Sequence, residues 1–581
     1  MRIQTHTLIL QAATLLSAIL IAILPACTPA IRSPVPIPIE DSPAQADTFP
    51  THSGAFYFNL LAAQMSINSG DWTNARSLYH DALEQAPDSP YILLQLSHLA
   101  LILREPAKAE EYCRLALEND PHFFDARRFM ASLLVSRNQT KEAIAEYRLL
   151  LAERPGDEET LATLAKLYAK NKQPEKALGI INELLAAHPK SATAFFYRGN
   201  IYADQGNTAK AEEAYLKSIA LDPAYLPARI NLAGLYETAG DLTLAIKIYT
   251  DVAETVPNNQ LVRSKLAYLY IKTGNLNAAH AHYQYLLDTA PQFNEEIALK
   301  IGLIHFEQAN FADAEILFKG IIEKNPANQH AQYYLGLVLE KMHKSDEAVR
   351  AFQAVTPDSN LFTQARIQLA FIYSQNGKAQ EALQILQEII ELKPDEASTY
   401  HALAVVYAEN EDYQAAIAAL QNAIKHDSAE EDLLLYLGHL YEKANMFDES
   451  IATMREVLAI NNKNADALNF IGYLYADRGI RLREARSLIK KARAIKPDDG
   501  YILDSLGWVY FKMERYKKAL EHLEQAYRLV PDDPTIAEHL GDVLLRLNET
   551  KQALELYRRA LEIKPEKKAV QQKIYTIEQG L

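Results

Sequence analysis

From residue 56 almost to its end the chain repeats itself every 34 residues, and no other feature constrains its fold so strongly. The repeats start at 56, 90, 124, 158, 192, 226, 260, 295, 329, 363, 397, 431, 465, 500 and 534. Of the fourteen steps, twelve are 34 residues and two are 35. Position 8 is small throughout, from Ala63 and Ser97 to Gly507 and Gly541. Position 20 is Ala in fourteen repeats, displaced to Ala485 in the thirteenth, with Ser450 the exception. A length of 581 residues would otherwise suggest three or four globular domains. Ala, Leu, Glu, Gln and Tyr dominate while Gly numbers only 20, so each unit reads as helical.

The period and these positions resemble the tetratricopeptide repeat family. The resemblance covers roughly residues 56–565. It implies an all-α fold: a right-handed superhelical solenoid of about fifteen helix-turn-helix repeats, with A helices concave and B helices convex. Positions 8 and 20 are then where the A and B helices of one repeat approach most closely. A larger side chain there typically costs about 1–3 kcal/mol. Position 11 is Tyr in nine repeats, from Tyr168 to Tyr510, a spacing that marks core packing rather than ligand stacking. Position 32 is Pro in twelve, including Pro87 and Pro565, where it ends helix B. Gly70, Gly206, Gly240, Gly274 and Gly377 fall in the A–B turn, where a positive φ is needed. Repeat 9 departs from the pattern at Pro357 and Asn360, so a change of pitch is expected over residues 355–362.

The organisation follows. Residues 55–565 form the repeat array, and 566–581 a polar closing helix. Residues 1–26 carry one Arg and the apolar run 7–24, a signal-peptide pattern. The run is slightly short of the roughly 20 residues that span a membrane comfortably. Leu24-Pro25-Ala26-Cys27 resembles the lipobox of bacterial lipoproteins, although Pro25 departs from the usual small residue. The resemblance implies cleavage before Cys27 and acylation of Cys27. Acyl chains contribute about 0.8 kcal/mol per buried methylene, enough together for a firm anchor. An uncleaved anchor and an ordinary secretory signal are the alternatives. Thr28 in place of Asp points, by the sorting rule of that class, to the periplasmic side of a Gram-negative outer membrane. Residues 27–54 then comprise the lipidated Cys27 and a Pro-rich, semi-rigid tether.

Chemistry is hard to find. Walker A, G-x-S-x-G, H-E-x-x-H and C-x-x-C patterns are missing from the sequence. His280 and His282 are two apart on a helix, on different faces, which suits no metal. No catalytic residue, metal or cofactor is assigned. Two cysteines, Cys27 and Cys113, exclude a disulfide framework, and Cys113 reads as a small core residue. A net charge of −15 argues against nucleic acid.

Binding residues are sought in two places. One subset of the resembled family clamps peptide C-termini with Lys and Asn at concave positions. Repeats 5–7 offer Asn200, Asn231 and Lys265, but Phe196 and Leu261 stand where that clamp has lysines. Elsewhere, residues 478–496 hold eight basic residues against one acid, Glu484. Arg486, Lys490 and Arg493 should point outward there, toward an acidic protein or an anionic envelope polymer. The expected function is a non-catalytic periplasmic scaffold that binds other proteins or peptides in envelope assembly, secretion or polysaccharide export. The alternative is a glycan- or peptidoglycan-binding module, which would show exposed aromatics at positions 5, 9 and 12.

Overall fold

The computed structural model describes residues 53–426 and 431–580. Cys27 and the signal and tether segments lie outside these residues. The described chain forms 31 helices and no strand. It divides into two compact units, one ending at Gln308 and the other beginning at Ala309, inside the A–B turn of repeat 8. Each unit is a stack of antiparallel helix pairs.

The helices keep the register of the sequence period. Thirteen A helices begin on the expected residue, and the other two begin at Gly54 and Phe362. Short polar side chains just before the A helices fix many of these starts. Asp157 Oδ2, for example, accepts a hydrogen bond of 2.9 Å from the Thr160 amide.

The A–B turn has one conformation in all fifteen repeats. Position 15 is left-handed whether it is Gly206 at φ 72°, Lys172 at 56° or Glu514 at 59°. The amide after it then donates to the carbonyl of position 11, as Asn207 does to Tyr202 (2.8 Å) and Gln173 to Tyr168 (2.9 Å). Glycine is therefore the easy occupant of this position and not an obligatory one. A non-glycine residue there costs roughly 1 kcal/mol, which the repeated packing overrides. In repeat 13 the extra residue enters after this turn, leaving Arg481 also at positive φ (45°) before helix Leu482–Ile495.

Within a repeat, position 8 meets the large residue at position 24. A Cβ on Gly199 would lie 2.6 Å from the Tyr215 ring, and one on Gly507 would lie 2.5 Å from Leu523. The two hydroxyl exceptions satisfy themselves across the same contact. Ser97 donates to the Ala109 carbonyl, and Ser450 Oγ donates to the Gly438 carbonyl at 2.7 Å. Cys113 is fully buried at position 24, and burial pushes its thiol up to about 12.

Repeat 9 differs from the others in one helix. Its B helix, Ser345–Gln353, has nine residues where the other B helices have fourteen. Pro357 cannot donate a backbone bond and disfavours helix at Thr356. The Thr356 amide is taken instead by Gln329 Oε1 at 2.8 Å. Val355 and Leu361 remain buried, and the next A helix starts only one residue early. The irregularity is thus absorbed locally. The final helix, Lys568–Gly580, begins 34 residues after the last A helix, Pro534–Arg546, and buries Val570 as most A helices bury position 3.

Candidate functional site

One geometric rule organises the A-helix face. The side chain at position 6 of a repeat lies against position 9 of the repeat before it. His98 meets Phe129 at 4.2 Å between ring centres, His439 meets Phe470 at 4.4 Å, and Trp508 meets His539 at 3.9 Å. Position 5 flanks the same slot, as where Asp504 Oδ1 lies 2.9 Å from His539 Nδ1.

Asn200 and Asn231 occupy such a slot. Asn231 Nδ2 donates to Asn200 Oδ1 at 2.8 Å. The same oxygen accepts from Tyr215 Oη, at position 24, at 2.7 Å. Burial pushes the Tyr215 phenol up to about 12, so it stays a donor. Asn200 Nδ2 and Asn231 Oδ1 have no partner among the described residues, Asn231 being exposed. One donor and one acceptor side by side match what a peptide bond presents. Lys265 stands apart: its ammonium lies 3.1 Å from Glu237 Oε2. The structure therefore joins the two asparagines and ties the lysine to a carboxylate of its own.

Two slots of unit 2 are filled differently. Asp504 and His539 are buried beneath Trp508, which is 7% exposed and stacks on Phe511 at 4.8 Å. At the last slot, Asp542 accepts from Tyr557 Oη at 2.6 Å and from Lys573 Nζ at 2.6 Å. Lys573 also reaches Glu538 at 2.9 Å, and Lys567 reaches it at 2.7 Å. Burial opposes ionisation of Glu538, but the two ammonium groups outweigh it and hold its carboxyl below the usual range. Sequence reading missed this row because it looked for clamp residues by type. The signal was a spacing: polar or aromatic pairs 31 or 35 residues apart.

The position-11 tyrosines are buried or half-buried, as core spacing implies. Several lie under a basic side chain from helix B, such as Lys210 over Tyr202 at 5.4 Å and Lys518 over Tyr510 at 5.9 Å. The position-9 Trp508 is closed over by its neighbours and offers no sugar platform. His280 and His282 diverge: His280 meets His305 edge to face, and His282 stacks on Tyr270. Among the described residues no three metal-ligating side chains gather. Among them, too, no helix is long and apolar enough to cross a membrane.

The basic segment lies on the B-helix face. In helix Leu482–Ile495, Ala485, Ile489 and Ala492 face inward. Lys490 is exposed, and Arg486 and Arg493 are half-buried. Glu484 is engaged by Arg455 and Arg481, and Lys496 by Asp466. Arg486, Lys490 and Arg493 form no ion pair among the described residues. His522, in the next B helix, has its pKa lowered by burial and then by Arg493, with Lys490 and Lys518 adding to the effect. The positive field therefore extends across two repeats.

These features define a helical-repeat scaffold suited to binding other proteins. The chain belongs to the tetratricopeptide repeat family: models described as tetratricopeptide repeat match residues 67–133, 163–225, 237–304, 299–360, 363–396, 407–474 and 505–567. No curated protein sequence matches it. Among solved structures, it is similar to the APC/C hetero-tetramer Cut9–Hcn1, at 15% identity over 90% of this chain and 96% of that one, with a TM-score of 0.35. It is also similar to Naa15/Naa10 bound to HypK-THB, at 18% identity, 74% and 67% coverage and a TM-score of 0.33. A tetratricopeptide repeat protein from Parabacteroides merdae matches at 21% identity, over 43% of this chain and 98% of that one, with a TM-score of 0.31. Likenesses this distant carry no functional argument.

Proposed function

We propose that this chain is a lipid-anchored scaffold of the bacterial envelope, held through Cys27 at the periplasmic side of an outer membrane, where it recruits protein partners for assembly, secretion or polysaccharide export. The observation that carries the binding role is the open amide pair of Asn200 and Asn231 on the A-helix face. An extended peptide can add its own donor and acceptor there without breaking the bond between the two side chains. The location rests on the sequence around Cys27 alone. Metabolic labelling with an acyl-chain analogue tests it. Label should enter the wild type and be lost from Cys27→Ser, with release from membranes; equal labelling of both overturns the anchor.

The basic helix supports a second contact, with an acidic protein segment. Arg is well suited to paired carboxylates. Charge reversal of Arg486, Lys490 and Arg493 to Glu should slow association with a poly-glutamate peptide. Wild-type binding should weaken with salt, because the screening length falls from about 10 Å at 0.1 M to about 3 Å at 1 M. Preference for an anionic polysaccharide over the peptide would instead favour an envelope polymer.

A further inference from the structure

In the first described helix, Gly54–Asn68, one apolar face is exposed, with no described residue covering it. Phe58 is 67% exposed, Leu61 68% and Met65 72%. Phe58 and Met65 occupy positions 3 and 10. Position 10 is buried in each of the fourteen later repeats, from Leu99 at 1% to Val543 at 0%. Position 3 is buried in all of them except for Ile297, which is half-buried. What covers these residues elsewhere is the B helix of the preceding repeat, as helix Trp72–Gln85 packs on Ile92 and Leu99. Phe58 and Met65 thus belong to a stacking surface that the chain uses fourteen more times, and Leu61, at position 6, borders it where later repeats meet position 9 of the repeat before.

We propose that this face is an interface between two copies of the chain. Three observations choose this occupant. The face continues an interface already present throughout the molecule, so it is shaped to receive a helix. Phe58, Leu61 and Met65 are spaced by three and four residues, the a–d–a pattern of a two-helix seam. No residue from Ser53 to Gly70 is charged. Two copies of a chain with net charge −15 can therefore bring these faces together without placing like charges in contact. A charged partner would find nothing there to pair with. The closing helix Lys568–Gly580 exposes Gln571, Gln572 and Glu578 around a single apolar ring, Tyr575, and so offers head-to-tail stacking no matching apolar face. Pairing of like faces about a twofold axis closes the assembly at a dimer.

A seam of barely more than one heptad is small beside the roughly 800 Å² per partner of a standard interface, so the dimer is weak and reversible. Sedimentation equilibrium of the full chain carrying Cys27→Ser, between about 1 and 100 μM, reads it. The expected result is a concentration-dependent dimer. Leu61→Glu should raise the dissociation constant at least about tenfold. Because Leu61 is exposed, its thermal unfolding should not change. A wild type that stays monomeric throughout overturns the proposal, as does a dimer indifferent to both Leu61→Glu and Phe58→Glu. Flotation of the monomer with lipid vesicles, abolished by Leu61→Glu, would give the face to a membrane instead. Hydrogen-exchange protection of residues 57–65 that is independent of concentration would give it to another part of the same chain. The inference stands apart from acylation: failure of labelling at Cys27 leaves it untouched.

Discussion

The slot at Asn200 in unit 1 and the slot at Asp542 in unit 2 share their wiring and differ in charge. In both, a tyrosine at position 24 donates to the side chain at position 9: Tyr215 to Asn200 and Tyr557 to Asp542. In both, position 6 of the following helix donates to the same oxygen: Asn231 in one and Lys573 in the other. The neutral slot keeps an unused donor and acceptor on its surface. The ionic slot spends its capacity internally, since Lys573 also holds Glu538. The same backbone geometry therefore leaves a donor and an acceptor open in one place and uses them up in a stacking joint in the other.

The most severe test takes the buried pair beneath Trp508. His539→Leu leaves Asp504 buried without its hydrogen-bond partner and should cost about 3 kcal/mol. Urea unfolding, with hydrogen exchange over residues 500–546, measures it. A loss no greater than that of Asn231→Ala would show the two kinds of slot to be energetically equal and break the comparison.

Next come the two glycines beneath the tyrosines. A Cβ at Gly199 or Gly541 would fall 2.6 or 2.8 Å from the ring of Tyr215 or Tyr557. Gly199→Ala and Gly541→Ala should each cost about 1–3 kcal/mol. Each should also pull the tyrosine off its position-9 partner, which hydrogen exchange across the neighbouring repeat would register. An effect confined to the mutated repeat would show that the tyrosine does not couple the two contacts.

Acid should separate the slots. The Glu538 carboxyl is held below its usual range, so its contribution is present above about pH 4.5 and is lost as pH falls through the lowered value. Protection over residues 534–579, taken relative to the intrinsic exchange rate at each pH, should therefore fall on acidification, and less so with Lys573→Met. Exchange around Asn200 and Asn231 should not follow this carboxylate. The smallest effect belongs to Asn231→Ala, about 1 kcal/mol for one net hydrogen bond. Its stability change should be minor next to any loss of peptide binding.

The sequence made the repeats legible because their register is local. A helix start is set by the side chain just before it, as at Asp157. A turn is set by one left-handed residue, and a small position-8 residue fits the large one sixteen or seventeen residues on. Even so, five glycines led to the turn, while Lys172, Glu514 and others adopt it without being glycine. Clamp-like residues were legible as types and not as contacts. Asn200 and Asn231 could be named, but not their bond to each other or to Tyr215, nor the carboxylate that holds Lys265.

By itself, then, the amino-acid sequence determined the family, the period, thirteen of the fifteen A-helix starts and the inward side of helix Leu482–Ile495, all of which depend on residues within about one repeat. Only the tertiary structure decided which side chains 31 to 35 residues apart meet, that Trp508 is closed over rather than open, and that Phe58, Leu61 and Met65 are bare. The physical reason is the stacking offset between repeats. Periodicity states that neighbours repeat, but how far one helix pair slides and turns on the next decides whether position 6 lands on position 9. The same stacking decides the exposure of Phe58, Leu61 and Met65, in front of which no helix stands among the described residues.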